Sequence, residues 1–262
     1  MWRRKFGFAF VVALLGLVAA HADDADVKKT LAPTGSLRAA LYVGTPTSVL
    51  DPKASEPRGV GYELGKELAR HLGVPYEPIV YPKNADVQES IKTGKADVAF
   101  TNASAARQKE MDFGQPYLLI ELGYLVRGDS KIAASTEIDQ KGTKIGAAAG
   151  STSASTLSRD LKNAELVLAT TNQTGAEMLA EGKIDAFATN KATLFELALK
   201  VPNSKVLPDR WGEERHAIAI PKGRENGLPY IKAFTQDVLA SGLVKAAMDR
   251  AGLRGALPAK AE

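Results

Sequence analysis

Apolar residues recur along this chain in two alternating periods. Val60, Leu64, Leu68 and Leu72 fall four apart, which places them on one helix face, and Gly73 ends the run. The stretch "NADVQESIKTG" (84–94) repeats the pattern with Val87 and Ile91 inward. Around these helices lie short apolar runs that read as strands: "LRAALYV" (37–43), broken by "GTP" (44–46), then "YEPIVY" (76–81) and "ADVAF" (96–100). This βαβαβ order predicts a mainly parallel sheet with helices on both faces. The same grammar resumes with "TKIGAA", "STSASTLSRDL", "AELVLA", "TGAEMLAEG", "IDAFA" and "KATLFELALK", so two α/β units are expected. "ELGYLVRG" (121–128) and "ERHAIAIPKG" (214–223) read as strands crossing between them, returning the helices of "YIKAFTQDVLASGLVKAAM" to the first unit. The tail beyond Gly255 is expected to be disordered.

An internal repeat supports two units. "GKADVAFTN" (94–102) and "GKIDAFATN" (182–190) share G-K-x-D-x-x-x-T-N, placing Asn102 and Asn190 at the carboxyl ends of matching strands. Ligands of open parallel sheets bind outside those ends, so the two would face each other across a cleft. The plainer reading is a tight turn feeding each strand.

Composition narrows the setting. Arg3, Arg4 and Lys5 precede an apolar run from Phe6 to Ala20, closed by Ala20-His21-Ala22, as in a secretory leader of residues 1–22. That run falls short of the roughly 20 residues that span a bilayer. Without the leader, Lys+Arg falls from 34 to 31 against 30 Asp+Glu, and the scattered lysines form no nucleic-acid patch. The absence of cysteine excludes disulfides and thiolate zinc sites. Only His71 and His216 remain, far apart, which argues against a metal site and suggests ordinary histidines.

In "NASAARQKEMDFGQPY" (102–117), Arg107 stands five residues after Asn102 and three after Ser104, and Phe113, Gly114 and Pro116 then read as a stop. From spacing alone Arg107 is a solvated helix charge. Together with "PRGVGYELGKELARHLGV", "KIGAAAGSTSAST" and "GKIDAFATN", however, this segment resembles the periplasmic solute-binding proteins of ABC importers, family 3, the amino-acid-binding type. The resemblance runs in order over nearly the whole chain after the leader. It implies the two-lobed type II periplasmic-binding-protein fold, α/β throughout, each lobe a mainly parallel sheet flanked by helices, with two hinge strands. The lobes would comprise residues 23–121 plus 214–262 and residues 122–213. It also implies capture of a small polar, carboxylate-bearing solute, delivery to an inner-membrane permease, a monomeric periplasmic protein, and neither cofactor nor catalysis.

By the same resemblance Arg107 grips the solute carboxylate, helped by the residue five places earlier, here Asn102. A guanidinium presents a planar fork of donors that matches a carboxylate. Ser104 either caps the helix or donates to the solute. Ser151 and Thr152 in "GSTS" open a helix whose amides favour an anion, although such a start is ordinarily just a cap. Two positions depart from the amino-acid-binding pattern. Asn190 stands where an aspartate meets the ammonium, and Tyr42 aligns where many members carry another acid; Tyr42 either covers the solute or packs between lobes. A carboxylate without an amine therefore becomes a candidate beside an amino acid, and Glu121 is the acid expected to substitute. Two other classes stay open: a dehydratase on the same scaffold, and a ligand sensor.

Overall fold

The computed structural model of the protein describes residues 25–260; the leader expected over residues 1–22 lies outside the described residues. A short helix α1 (25–31) leads into β1 (Leu37–Tyr42). There follow α2 (Val60–Leu72), β2 (Tyr76–Tyr81), α3 (Asn84–Lys92), β3 (Val98–Asn102) and α4 (Ala105–Gln108). The four apolar residues of α2 are each 0–2 % exposed, and Gly73 terminates the helix in the left-handed conformation at φ 62°. The chain then builds β4 (Met111–Arg127), β5 (Lys144–Ala148), α5 (Thr152–Asp160), β6 (Glu165–Ala169), α6 (Asn172–Ala180), β7 (Ala186–Asn190) and α7 (Lys191–Ala198). It closes with β8 (Ser204–Val206), β9 (Gly212–Pro221), α8 (Leu228–Ala240), α9 (Leu243–Arg250) and β10 (Ala256–Pro258).

The strands run β2-β1-β3-β9-β4-β7-β5-β6. β1 pairs parallel with β2 and β3, and β5 pairs parallel with β6 and β7, as the alternating pattern predicts. β4 and β9 join these two parallel blocks and lie antiparallel to each other, which makes the sheet mixed. Leu122 is the crossover residue: it is the last β4 position paired with β9 and the first paired with β7. Helices cover both faces of each block. In the first, α2, α8 and α9 bury Leu64, Phe234 and Val244 on one face, while Val87 and Ile91 of α3 pack on the other. In the second, Leu179 and Leu194 of α6 and α7 oppose Leu157 of α5.

The repeat has a physical meaning in this sheet. Gly94 and Gly182 both take positive φ, 67° and 71°, at the turn before a strand. Three residues on, Asp97 and Asp185 each accept a backbone N–H from the first two residues of the neighbouring parallel strand, Arg38 at 3.1 Å and Lys144 at 2.8 Å. The turn therefore also fixes the register of β3 on β1 and of β7 on β5.

Two expectations from the sequence are corrected. Phe113, Gly114 and Pro116 do not stop the chain, because they lie inside β4, where its register with β9 slips on either side of Pro116. A proline donates no N–H, and the irregularity accommodates it. The tail is not disordered either: Ala256, Leu257 and Pro258 pair with Ile120, Leu119 and Leu118, and the Glu121 N–H donates to Gly255 O at 3.0 Å. β4 offers a free edge there that the tail fills.

Candidate functional site

Where the two blocks meet, Tyr42, Thr45, Thr101, Arg107, Ser151, Thr152, Asn190, Glu214 and His216 surround a cavity of about 50 Å³. Local rules put these groups there. The loop after β1 folds onto α2, whose Val60, Gly61 and Tyr62 N–H groups donate to the carbonyls of Pro46, Thr47 and Ser48 at 2.9–3.1 Å. Gly59 permits that approach: at φ 148°, a Cβ there would lie 2.2 Å from Ser48 O. Thr45 is thereby held facing α7, where its hydroxyl meets that of Thr193 at 3.1 Å.

Arg107, 7 % exposed, is the cavity's cation. Its Nη1 donates to Thr101 Oγ1 at 2.6 Å and its Nη2 to Gly150 O at 3.3 Å, and among the described residues it has no ion-pair partner. Burial pulls its guanidinium below the ordinary value, opposed by the nearby charge of Glu214. Glu214 is also buried, and its Oε2 accepts from Asn190 Nδ2 at 3.3 Å and from His216 Nε2 at 3.0 Å. Burial pushes its carboxyl up, but the His216 hydrogen bond and charge, with Arg107 and Asn190, hold it below the usual carboxylate range. Because a carboxylate only accepts, His216 Nε2 is the donor in that bond, and Nδ1 is buried without a partner. Asn172 Oδ1 is a second buried polar atom of the cavity wall without a partner.

Of the residues singled out in the sequence, Tyr42, Arg107, Ser151, Thr152 and Asn190 line the cavity. Tyr42 accepts from the Asn172 N–H across the cleft at 3.5 Å, and burial raises its phenol against that bond. Ser151 and Asn190 also cap α5 and α7, accepting from the N–H groups of Ala154 and Thr193 at 3.0 Å. Asn102 and Ser104 lie outside the lining. Asn102 ties the blocks together, donating to Thr152 Oγ1 at 3.0 Å and accepting from the Arg215 N–H at 2.8 Å. Ser104 caps α4 through the Arg107 N–H. Glu121 is not brought in: its carboxylate pairs with Lys191 Nζ at 2.7 Å, outside the cavity.

The sequence reading missed Glu214 and His216, and His216 is not the ordinary histidine expected. The signal was "ERH": residues two apart on a strand share one face, so an acid and an imidazole at that spacing inside a crossing strand point to one place. Among the described residues no group of three or more His, Asp or Glu gathers to hold a metal, and no helix is long and apolar enough to cross a membrane.

The L-cystine-binding protein TcyJ of Escherichia coli K12 is 24% identical over 196 residues, 73% of each chain. The ABC transporter glutamine-binding protein GlnH of Bacillus subtilis is 25% identical over 202 residues, 73% of this chain and 71% of that one. The solute receptor for L-cysteine of Neisseria gonorrhoeae superposes with a TM-score of 0.75 at 22% identity, covering 87% of this chain and 92% of the other. That likeness establishes the fold as the two-lobed type II periplasmic-binding-protein architecture. The model of the bacterial extracellular solute-binding proteins, family 3, matches residues 39–250, and to that family this chain belongs.

Proposed function

We propose that this protein captures a small carboxylate-bearing solute, an amino acid or related organic anion, between two lobes and delivers it to an ABC permease of the inner membrane. The observation that carries the reading is Arg107: a guanidinium buried in the cavity wall, hydrogen-bonded to a hydroxyl and a carbonyl but, among the described residues, in ion-pair contact with no acid. A buried charge without an ion-pair contact is costly, and a bound carboxylate supplies that contact in bidentate geometry. Ser151 and Thr152 meet the solute from the second lobe and Tyr42 covers it. We place the lobes at residues 23–121 with 214–262 and at residues 122–213, hinged where β4 and β9 cross. Residues 1–22 would direct export to the periplasm, where the protein acts as a monomer. The relatives are named as binding proteins, so a solute carrier without chemistry is preferred to the dehydratase alternative.

Thermal unfolding tests this reading. After unfolding and refolding to remove carried-over solute, a ligand at 100 times its dissociation constant should add about 2.7 kcal/mol, a rise of roughly 5–10 °C. Arg107→Met should abolish that rise, with circular dichroism of the ligand-free variant establishing that it is folded. A variant that keeps the ligand-induced rise would refute the assignment.

A further inference from the structure

We infer that Glu214, on the crossing strand β9, takes the cationic group of the solute, so that the cleft selects a zwitterion even though Asn190 stands where the resemblance places an acid. This rests on the capture reading above and names the ligand chemistry within it.

Three observations on the same cavity carry the inference. First, Glu214 is 7 % exposed and lines the cavity. Second, both of its recorded bonds use Oε2, from His216 and Asn190. Oε1 has no hydrogen-bond partner among the described residues and is not fully occluded, in a residue that lines the cavity. Third, Arg107 and Glu214 feel each other's charge yet form no ion pair. Two buried opposite charges held apart across one cavity are complementary to a molecule carrying both signs. An ammonium brings donors only, and this cavity offers it a carboxylate oxygen.

Asn190 acquires a different role in this arrangement. It caps α7 through Oδ1 and donates through Nδ2 to Glu214 Oε2, which orients the carboxylate and leaves its other oxygen to the solute. An aspartate at 190 would set a second negative charge against Glu214; an amide there is the side chain that a glutamate at 214 requires. A solute with a carboxylate alone would satisfy Arg107 but face Glu214 Oε1 with no positive group.

The experiment is a calorimetric titration of the refolded protein with matched pairs: glycine and glycolate, L-serine and glycerate, and L-glutamine and L-arginine with their 2-hydroxy counterparts. The expected result is that at least one amino compound binds about 30-fold or more tightly than its hydroxy partner. Glu214→Gln, which retains shape and hydrogen bonding, should reduce that preference to within a few-fold. The wild-type comparison needs no variant, and unliganded circular dichroism establishes that Glu214→Gln is folded. If hydroxy compounds bind as well as amino compounds, or if the preference survives in Glu214→Gln, this inference is wrong and capture through Arg107 stands. If no pair binds at all, both readings fail.

Discussion

Glu214 keeps its charge inside the protein because His216, Arg107 and Asn190 stabilise it against the desolvation of a buried carboxylate. Its titration is therefore linked to folding. A folded-state value below the ordinary 4.5 means that the stabilisation is fully present above that pH and disappears as pH falls through the lower folded value. Melting temperatures measured from neutral pH down into the acid range should show the wild type losing stability more steeply below pH 4.5 than Glu214→Gln. A parallel pair of curves would mean that this carboxylate does not contribute. Individual site residues were unevenly legible in the sequence. Arg107 was visible only through its surrounding motif, since nothing local separates a buried guanidinium from a solvated one. Glu121 was chosen for its closeness to the crossing, but Lys191 sits beside it in the fold and occupies it. Glu214 lies two residues from His216, a relation visible in the text of the chain, but which face of β9 lines the cleft depends on its pairing with β3 and β4.

Among elements, the repeated glycine-to-asparagine unit does the same task twice in different surroundings. Asp97 has no solvent exposure and receives Arg38 and Arg224 as well as a backbone N–H, whereas Asp185 has a 40% exposed side chain and a distant arginine. Asp97→Ala should therefore cost about 3–5 kcal/mol, since it strands two guanidinium groups near a buried position. The same change at 185 should cost closer to 1 kcal/mol, the worth of its hydrogen bond and surface pairing. Chemical denaturation of both variants measures the difference, and equal losses would contradict this account of the repeat. Elements with a strong internal period were legible to within a few residues, as with α2, because their burial follows their own sequence. The first half of β4 and all of β10 were not. Gly114 and Pro116 are locally unfavourable to a strand, and their place in the sheet comes from β9, about a hundred residues away. A three-residue strand such as Ala256–Pro258 has no period at all and exists because β4 presents an open edge.

For the molecule as a whole, the two lobes are in contact around the cavity. Gln88 Nε2 reaches Gly150 O at 2.9 Å, Asn102 reaches Thr152, and Thr45 meets Thr193, so this is a closed arrangement. Closure and ligand affinity are then parts of one equilibrium. Gln88 lies outside the cavity lining, yet Gln88→Ala should weaken binding about 2–10-fold, the value of one net hydrogen bond in the closed form. Titration with whichever amino compound binds best measures this, and unchanged affinity would mean that the bond also persists in the open form. The returning tail widens the same point. Arg254 sits 4.4 Å over the Phe195 ring of α7, and the strand that follows it is zipped to β4 just before the crossover. Any swing that draws α7 away from that strand must strip a cation from an aromatic face, at about 0.5–1 kcal/mol. The last turn of the chain thus works as a detent, and the balance between ajar and shut is set partly by side chains that never see the cargo.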